Sequence, residues 1–226
     1  MNTVAIIVPV LNEVEYLPRL LAHIREWGMD EIIFVDGGSS DETLQILKNA
    51  DVKWIHSERG RAVQFNAGAV QSKSDILLFL HADTSLFSSH IEDIKRAMRN
   101  PSVAGGRFDV RLSGHHPAFR IIEFFINWRS RLTRISTGDQ AMFVRREVFT
   151  RLDGFPEQPL MEDIEFSRRL KREGRIACLH RHVVTSSRRW EKHGIARTVL
   201  LMWWLRLRYS LGADPEVLKH RYVDCL

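Results

Sequence analysis

The 226-residue sequence predicts an α/β fold in which a mostly parallel central sheet is flanked by helices. Three observations predict it. Short apolar runs alternate with amphipathic stretches through the first half of the chain. The stretch between successive runs is long enough for a crossover helix, which parallel pairing requires. Carboxylates, histidine and glycines gather just after the runs, where open α/β sheets bind their ligands.

The strand-like runs are Val4–Val8, Glu31–Val35, Val52–Ile55 and Ile76–Leu80. Between the first two, Leu17, Leu20, Leu21, Ile24 and Trp27 recur at helical spacing. Ser39 followed by Glu42 reads as a capping box for the next helix. Ala62–Val70 and Ser89–Met98 complete the helical series, and Asn100-Pro101 stops it. In the second half, Phe108, Val110 and Leu112 alternate with charged residues, the pattern of a half-buried strand. Ala118–Leu132 reads as a helix, Ala141–Val144 as a strand, and Glu162–Glu173 as a strong helix ended by Gly174. His180 and His182 are taken to follow the last strand. No repeat, low-complexity tract or clear linker divides the chain, so 1–226 is expected to be one domain.

Composition limits the classes. With 44% hydrophobic and 27% charged residues the chain is globular rather than disordered. Cys178 and Cys225 give no disulfide framework and no CxxC metal site, which fits a reducing cytoplasmic compartment. The N-terminus runs into an apolar strand and lacks the pattern of a signal peptide. A net charge of +5 suits anionic partners such as nucleotide phosphates or anionic lipid. No nucleic-acid recognition motif accompanies it, so no nucleic-acid partner is expected. A dehydrogenase needs a Gly-rich turn after the first strand, and Pro9-Val10-Leu11-Asn12-Glu13 supplies none. GxxxxGK[ST] of P-loop NTPases is absent as well. So is the glycine-rich basic loop of sugar-nucleotide pyrophosphorylases.

The strand ends carry the chemistry. After the second strand comes Asp36-Gly37-Gly38-Ser39-Ser40-Asp41, and after the fourth His81-Ala82-Asp83-Thr84. A strand-end carboxylate can accept hydrogen bonds from a base or ribose, or only initiate a turn. The glycines permit a tight turn with close ligand approach. A carboxylate beside phosphates needs a cation between them, usually magnesium or manganese. Arg61, at the start of a helix, matches phosphate oxygens with its guanidinium fork.

VPVLNE, VDGGSSDET, GRAVQFNAGA and LHADT, in this order, resemble the nucleotide-binding half of family 2 glycosyltransferases. Downstream, TGDQAMFVRREVF, Asp153-Gly154-Phe155-Pro156 and MEDIEFSRRLKREG resemble the acceptor half. The resemblance runs to about Gly194 and is closest to the small bacterial subgroup of radical-SAM/selenodomain-associated transferase 2. It implies a GT-A fold, Rossmann-like in its sheet, a nucleotide-diphosphate sugar donor, a divalent Mn²⁺ or Mg²⁺ ion, and inversion at the anomeric carbon. It divides the chain into a nucleotide-sugar half (1–100), an acceptor half (101–194) and an amphipathic helical tail (195–226).

By position, the resemblance assigns Pro9, Leu11, Glu13, Asp36, Gly38, Arg61, Asn66, Ala82 and Asp83 to the donor. Asp83 is the last carboxylate of the metal-binding DxD motif, and His81 stands where its first carboxylate belongs. His81 and His182 are further metal-ligand candidates; His81 alternatively hydrogen-bonds the ribose or packs at the strand end, and a surface imidazole is the default reading of His182. Asp163 matches the general base, which takes the acceptor hydroxyl's proton. Glu162, Asp139, Arg189 and Trp190 are candidates on the acceptor or sugar side. Ser186-Ser187-Arg188-Arg189-Trp190 resembles the QxxRW of processive synthases, with Ser186 in place of Gln. This reading expects Asp36, Asp83 and Asp163 to surround one ligand. The competing reading is a non-catalytic scaffold that binds a nucleotide sugar or lipid.

Phe119–Arg134 and Thr198–Leu211 mix Phe, Ile, Leu and Trp with arginines. Neither is long and apolar enough to span a bilayer. Both suit helices lying on anionic lipid, giving a peripheral membrane contact and a lipid-linked acceptor; core helices or a dimer interface are the alternatives.

Overall fold

The computed structural model describes residues 2–24, 26–27 and 29–224; Cys225 lies outside them. Among these residues seven strands form one sheet. In chain order the elements are β1 (Val4–Val10), α1 (Leu17–Ile24), β2 (Glu31–Asp36), α2 (Thr43–Asn49), β3 (Lys53–His56), α3 (Arg61–Gln71), β4 (Ile76–Phe79) and α4 (Ser88–Ala97). The second half adds β5 (Val103–Leu112), α5 (Pro117–Thr133), β6 (Met142–Arg145), α6 (Arg146–Arg151), α7 (Glu162–Glu173) and β7 (Arg175–Thr185). Three helices finish the described chain: α8 (Arg188–His193), α9 (Ile195–Ser210) and α10 (Pro215–Asp224).

The strand order is β3-β2-β1-β4-β6-β5-β7. β1 pairs in parallel with β2 and β4, and β2 with β3. β6 is antiparallel to both β4 and β5, while β5 and β7 are parallel. Six strands therefore run one way and β6 alone runs back. The carboxyl ends of the six and the entrance to β6 all lie on one edge of the sheet. Chain order reverses beside β1, with β2 on one side and β4 on the other. That switch point opens the crevice in which α/β proteins hold ligands.

Burial explains why β1 reads as a continuous apolar run. Val4 to Val8 are fully buried, as a central strand covered on both faces must be. One side is packed by α1 and α4 through Leu17, Leu20, Ile91 and Ile94, the other by α3 through Ala62, Phe65 and Ala69. Gly68 lets α3 approach β1 closely, since a Cβ there would collide with Ile7.

The structure corrects three sequence expectations. The capping box does not form: Ser39 Oγ accepts from Asn12 N (3.0 Å), and Asp41 Oδ1 accepts from Thr43 N (2.9 Å) at the start of α2. β5 is not half-buried, because Arg107 and Asp109, read as solvent-facing, are buried and paired with each other. Arg131 of α5 also reaches Asp109 (2.6 Å). His180 and His182 lie inside β7 rather than after the last strand.

The contact between α5 and β5 has an unusual polarity. β6 pairs with β5 only at Gly105 and Gly106. Beyond that point β5 has an open edge, whose backbone groups need partners once buried. Side chains of α5 supply them. Asn127 accepts from Val110 N (2.8 Å) and donates to Val110 O (3.0 Å). Glu123 accepts from Leu112 N (2.7 Å), and Arg120 donates to Leu112 O (3.0 Å). The helix thus turns its polar face inward, and Phe124, Phe125 and Trp128 are left exposed.

Candidate active site at the sheet edge

The loops after β1 and β2 are laced together. Asn12 adopts a left-handed backbone (φ 56°), and its Oδ1 accepts from Ser40 N (2.8 Å). Glu13 N donates to Thr43 Oγ1 (2.8 Å). Asp36 is fully buried and accepts from the N–H groups of Gly38 (2.9 Å) and Ser39 (3.2 Å). Gly38 at φ 90° makes that turn possible. Gln64, which sequence reading passed over, is buried on α3 and donates to both Val10 O (3.0 Å) and Val35 O (2.8 Å). It pins the carboxyl ends of β1 and β2 side by side.

Asp83 lines a cavity of about 710 Å³, bounded also by Tyr16, Ala82, Thr185, Ser186 and Arg188. Its Oδ1 lies 3.4 Å from the hydroxyls of both Thr84 and Thr185. Close by, burial pushes the Glu13 carboxyl up to about 7, and the charge of Asp83 adds to the shift while Arg188 opposes it. Two carboxylates close enough for one to raise the other's pKa are the arrangement a cation relieves.

The second group of residues surrounds Asp163. It sits in the first turn of α7, where Oδ2 accepts from Gly138 N (2.8 Å) and Oδ1 from Ile164 N (2.7 Å). Met161 at φ 66° precedes the helix start, and Ala141 at φ 46° follows the turn holding Gly138. Left-handed non-glycine residues on both flanks are strain of the kind found at functional sites. Glu162 is buried, 3.5 Å from Arg61 Nη1. Burial holds its carboxyl above the usual range, Arg61 opposes this and Asp163 adds to it.

His81 stands between the two groups. Its Nδ1 is 3.8 Å from Asp139 Oδ1, and its buried Nε2 has no partner among the described residues. A Cβ on Gly138 would come within 2.6 Å of that Nε2, so only glycine lets the ring approach this closely. Burial lowers its pKa, as does Arg61; Asp139, Asp83 and Asp163 pull the other way. The imidazole is therefore neutral near pH 7 and feels all three carboxylates.

Asp36, Asp83 and Asp163 thus stand along one edge but do not line one cavity. Asp83 faces the large cavity. Asp163 and His81 face a crevice closed to about 10 Å³, room for one water at most. Asp36 is capped by its own loop. Other expected residues separate further. Both amide atoms of Asn66 grip the Phe155 backbone (2.9 Å each), so it clamps a loop. His182 is exposed on β7 and lines neither cavity. Arg189 stacks on Tyr222 of α10 (5.5 Å), and it is Arg188, not Arg189 or Trp190, that reaches the large cavity. Two arginines missed as site residues, Arg129 of α5 and Arg206 of α9, feel the charge of Asp163. Burial presses the Arg129 guanidinium down to about 9, with Arg206 adding to it, which still leaves it charged at neutral pH. An arginine inside an otherwise apolar helical run was the available signal.

Among the described residues no three His, Cys, Asp or Glu side chains cluster to hold a metal. That is compatible with Mg²⁺ or Mn²⁺, which commonly take one or two carboxylates plus substrate phosphates and water. The donor chemistry of Asp83, beside the strained ionisation of Glu13, fits such an ion.

The sheet order, the switch-point crevice and the carboxylates beyond it define an α/β protein of the GT-A fold. A sequence model described as glycosyl transferase family 2 matches residues 5–152, and the chain belongs to that family. Among curated relatives, the 4,4'-diaponeurosporenoate glycosyltransferase of Staphylococcus haemolyticus is 31% identical over 102 residues, covering 39% of this chain and 26% of the relative. The undecaprenyl-phosphate 4-deoxy-4-formamido-L-arabinose transferase of Pseudomonas fluorescens is 29% identical over 152 residues, covering 60% and 41%. The chain therefore spans less than half the length of these relatives. Among solved structures, the mannosyltransferase PcManGT from Pyrobaculum calidifontis, in complex with GDP-Man and Mn²⁺, superposes with a TM-score of 0.70 at 19% identity. That match covers 99% of this chain and 70% of the other. S. aureus TarS 1-349, in complex with UDP, gives 0.67 at 19% identity, covering 81% and 60%. At such identity the likeness is one of fold.

Proposed function

We propose that this chain transfers a sugar, of the hexosyl type, from a nucleoside-diphosphate sugar to a lipid-linked acceptor, with inversion at the anomeric carbon. The observation that carries the reading is the position of Asp163. It is held by Gly138 N (2.8 Å) at a helix start, on the sheet edge that also bears Asp83. Membership of family 2 supports the reaction class. The solved neighbours in complex with GDP-Man and Mn²⁺, or with UDP, support the donor class. A relative whose name includes undecaprenyl phosphate supports a lipid-linked acceptor. The motif resemblance to the radical-SAM/selenodomain-associated subgroup belongs to the same proposal, as do one domain with donor and acceptor halves and a cytoplasmic location.

In the proposed step the acceptor oxygen bonds to the anomeric carbon as the bond from that carbon to the diphosphate oxygen breaks. The hydroxyl proton passes to the Asp163 carboxylate, and the nucleoside diphosphate leaves. Gly138 N and Ile164 N orient that carboxylate before it acts. Arg61, tied to Glu162, and the pair Arg129 and Arg206 supply fixed positive charge beside it. Asp83, with Glu13 nearby, would hold the divalent cation. Bound there, Mg²⁺ or Mn²⁺ supplies positive charge against the diphosphate oxygens.

The test is nucleoside-diphosphate release from a panel of UDP- and GDP-sugars, with Mn²⁺ and with chelator, against hydroxyl-bearing lipid-linked and soluble acceptors. Acceptor-dependent release that disappears in Asp163→Asn, with donor binding retained, is the expected result. Donor binding without release by the native chain, across the panel, would leave a nucleotide-sugar scaffold and overturn the proposal.

A further inference from the structure

α5 and α9, each with an arginine that feels the charge of Asp163, present an outer surface that neither the fold nor the transfer step requires. On α5 the exposed large apolar residues are Ile121, Phe124, Phe125, Trp128 and Leu132. On α9 and the residue after it they are Leu200, Trp203, Trp204, Leu207 and Leu211. Both sets follow the offsets 0, 3, 4, 7 and 11, which draw one stripe down one side of a helix. Exposure along the two stripes runs from 43% to 73%, so these are whole faces in water and not scattered side chains. The two helices meet at one cluster: Ile135, just after α5, and Leu201 and Met202 of α9 all pack against the buried group that includes Leu205.

Charge decides what covers such a surface. Arg134, Arg197 and Arg208 lie on these two helices or at their ends, are exposed, and have no carboxylate within ion-pair distance among the described residues. Arg208 lies over the Trp204 ring at 6.0 Å, joining the cation to the apolar stripe. A second copy applied to this face would set like charges against one another. A phosphate-bearing lipid surface would meet both features, since tryptophan favours the headgroup level and arginine the anionic phosphates. No described helix is long and apolar enough to cross a membrane, so the helices would lie on it.

We propose that the outer faces of α5 and α9 form a docking surface for anionic lipid, seating the chain on a bilayer with the Asp163 side of the sheet edge toward it. The docking stands on the exposed faces and their charge. Only its use, delivery of an amphiphilic acceptor to Asp163, rests on the proposed transfer reaction.

Flotation of the nucleotide-free full chain with vesicles of phosphatidylcholine, alone or containing phosphatidylglycerol, tests it. Binding to the phosphatidylglycerol vesicles, weakened by salt and slight with phosphatidylcholine alone, is expected. The double variant Trp128→Ser, Trp203→Ser should lower the lipid partition coefficient by at least about tenfold with thermal unfolding unchanged, since both side chains are exposed. Arg208→Glu should weaken binding to the anionic vesicles alone. Absence of flotation, or flotation indifferent to these variants, overturns the proposal. So does a dimer in light scattering that the tryptophan variant converts to monomer, because that assigns the face to a second copy. A chain that docks but releases no nucleotide would break the transfer reading alone; one that glycosylates a soluble acceptor without docking would break this one alone.

Discussion

α3 and α5 both pack on the sheet, and they do so inside out with respect to each other. α3 buries Ala62, Phe65 and Ala69 against β1 and β2, two strands paired along their length, and Gln64 adds a polar contact only at their carboxyl ends. α5 buries Glu123 and Ser130, and presents Asn127 and Arg131 to β5, whose edge is open beyond Gly106. The difference teaches that the state of the strand sets the chemistry of the helix. Along its paired length a strand offers side chains, so its helix contributes mainly apolar area. An unpaired edge offers N–H and C=O groups, so its helix must contribute polar partners.

That contrast can be broken experimentally, beginning with the largest effect. Asp163→Asn, in the half built on polar contacts, should lower kcat by about 10²- to 10⁴-fold in steady-state nucleotide release, with the donor dissociation constant unchanged by calorimetry. Phe65→Ala, on the apolar face of α3, should cost about 3–5 kcal/mol in denaturant unfolding, because the ring packs on Phe79 (5.0 Å) and Phe155 (5.3 Å). Asn127→Leu keeps the volume of α5's inner face and leaves Val110 N and O without partners; a loss of about 1–3 kcal/mol per orphaned group is expected. If Asn127→Leu were neutral, the polar-face account of α5 would fail.

Two smaller effects sharpen the comparison. His90 of α4 is buried, its Nε2–H donating to His182 O (3.0 Å) and its Nδ1 accepting from Phe87 N (3.1 Å). Burial lowers its pKa below 6.5, which the hydrogen bonds only partly offset. The unfolded chain then takes up the proton first. The stability from neutral His90 is complete above about pH 6.5 and is lost as pH falls through the depressed folded value. Thermal unfolding of His90→Gln should therefore change less than the native chain between pH 7 and pH 5. Trp128→Ser, on the outer face of α5, should shift unfolding by no more than about 0.5 kcal/mol, the reverse of the Phe65 result on a helix of the same sheet.

The first half was the more legible because its strands and helices follow single-period patterns. β1 to β4 and α3 fall within about two residues of their expected limits, and α7 runs from Glu162 to Glu173 as expected, with Gly174 after it. Legibility failed where tertiary pairing overrides local pattern. Arg107 and Asp109 read as solvent-facing because sequence cannot display the Arg131 that joins them from α5. β7 lay beyond recognition as a strand: it is an edge, and His180, Arg181 and His182 are exposed along it. At the site, Asp163 and Asp83 were read from their motifs, and both stand on the carboxyl edge of the sheet but face different cavities. Gln64, Arg129 and Arg206 were not, since their partners are set by helices meeting across the fold. The reading of Asn66 shows the converse, a motif residue engaged on the Phe155 backbone.

That last contact has a mechanical consequence. Asn66 is locked onto Phe155 by two hydrogen bonds, five residues along the helix that begins with Arg61. Phe155 lies six residues before Met161, where the chain enters the helix bearing Glu162 and Asp163. Arg61 and Glu162 meet at the other end of the same loop of contacts. The result is a closed bracket, stiff in shear, so a pull on the Arg61 guanidinium is transmitted to the first turn of α7 through two attachments at once.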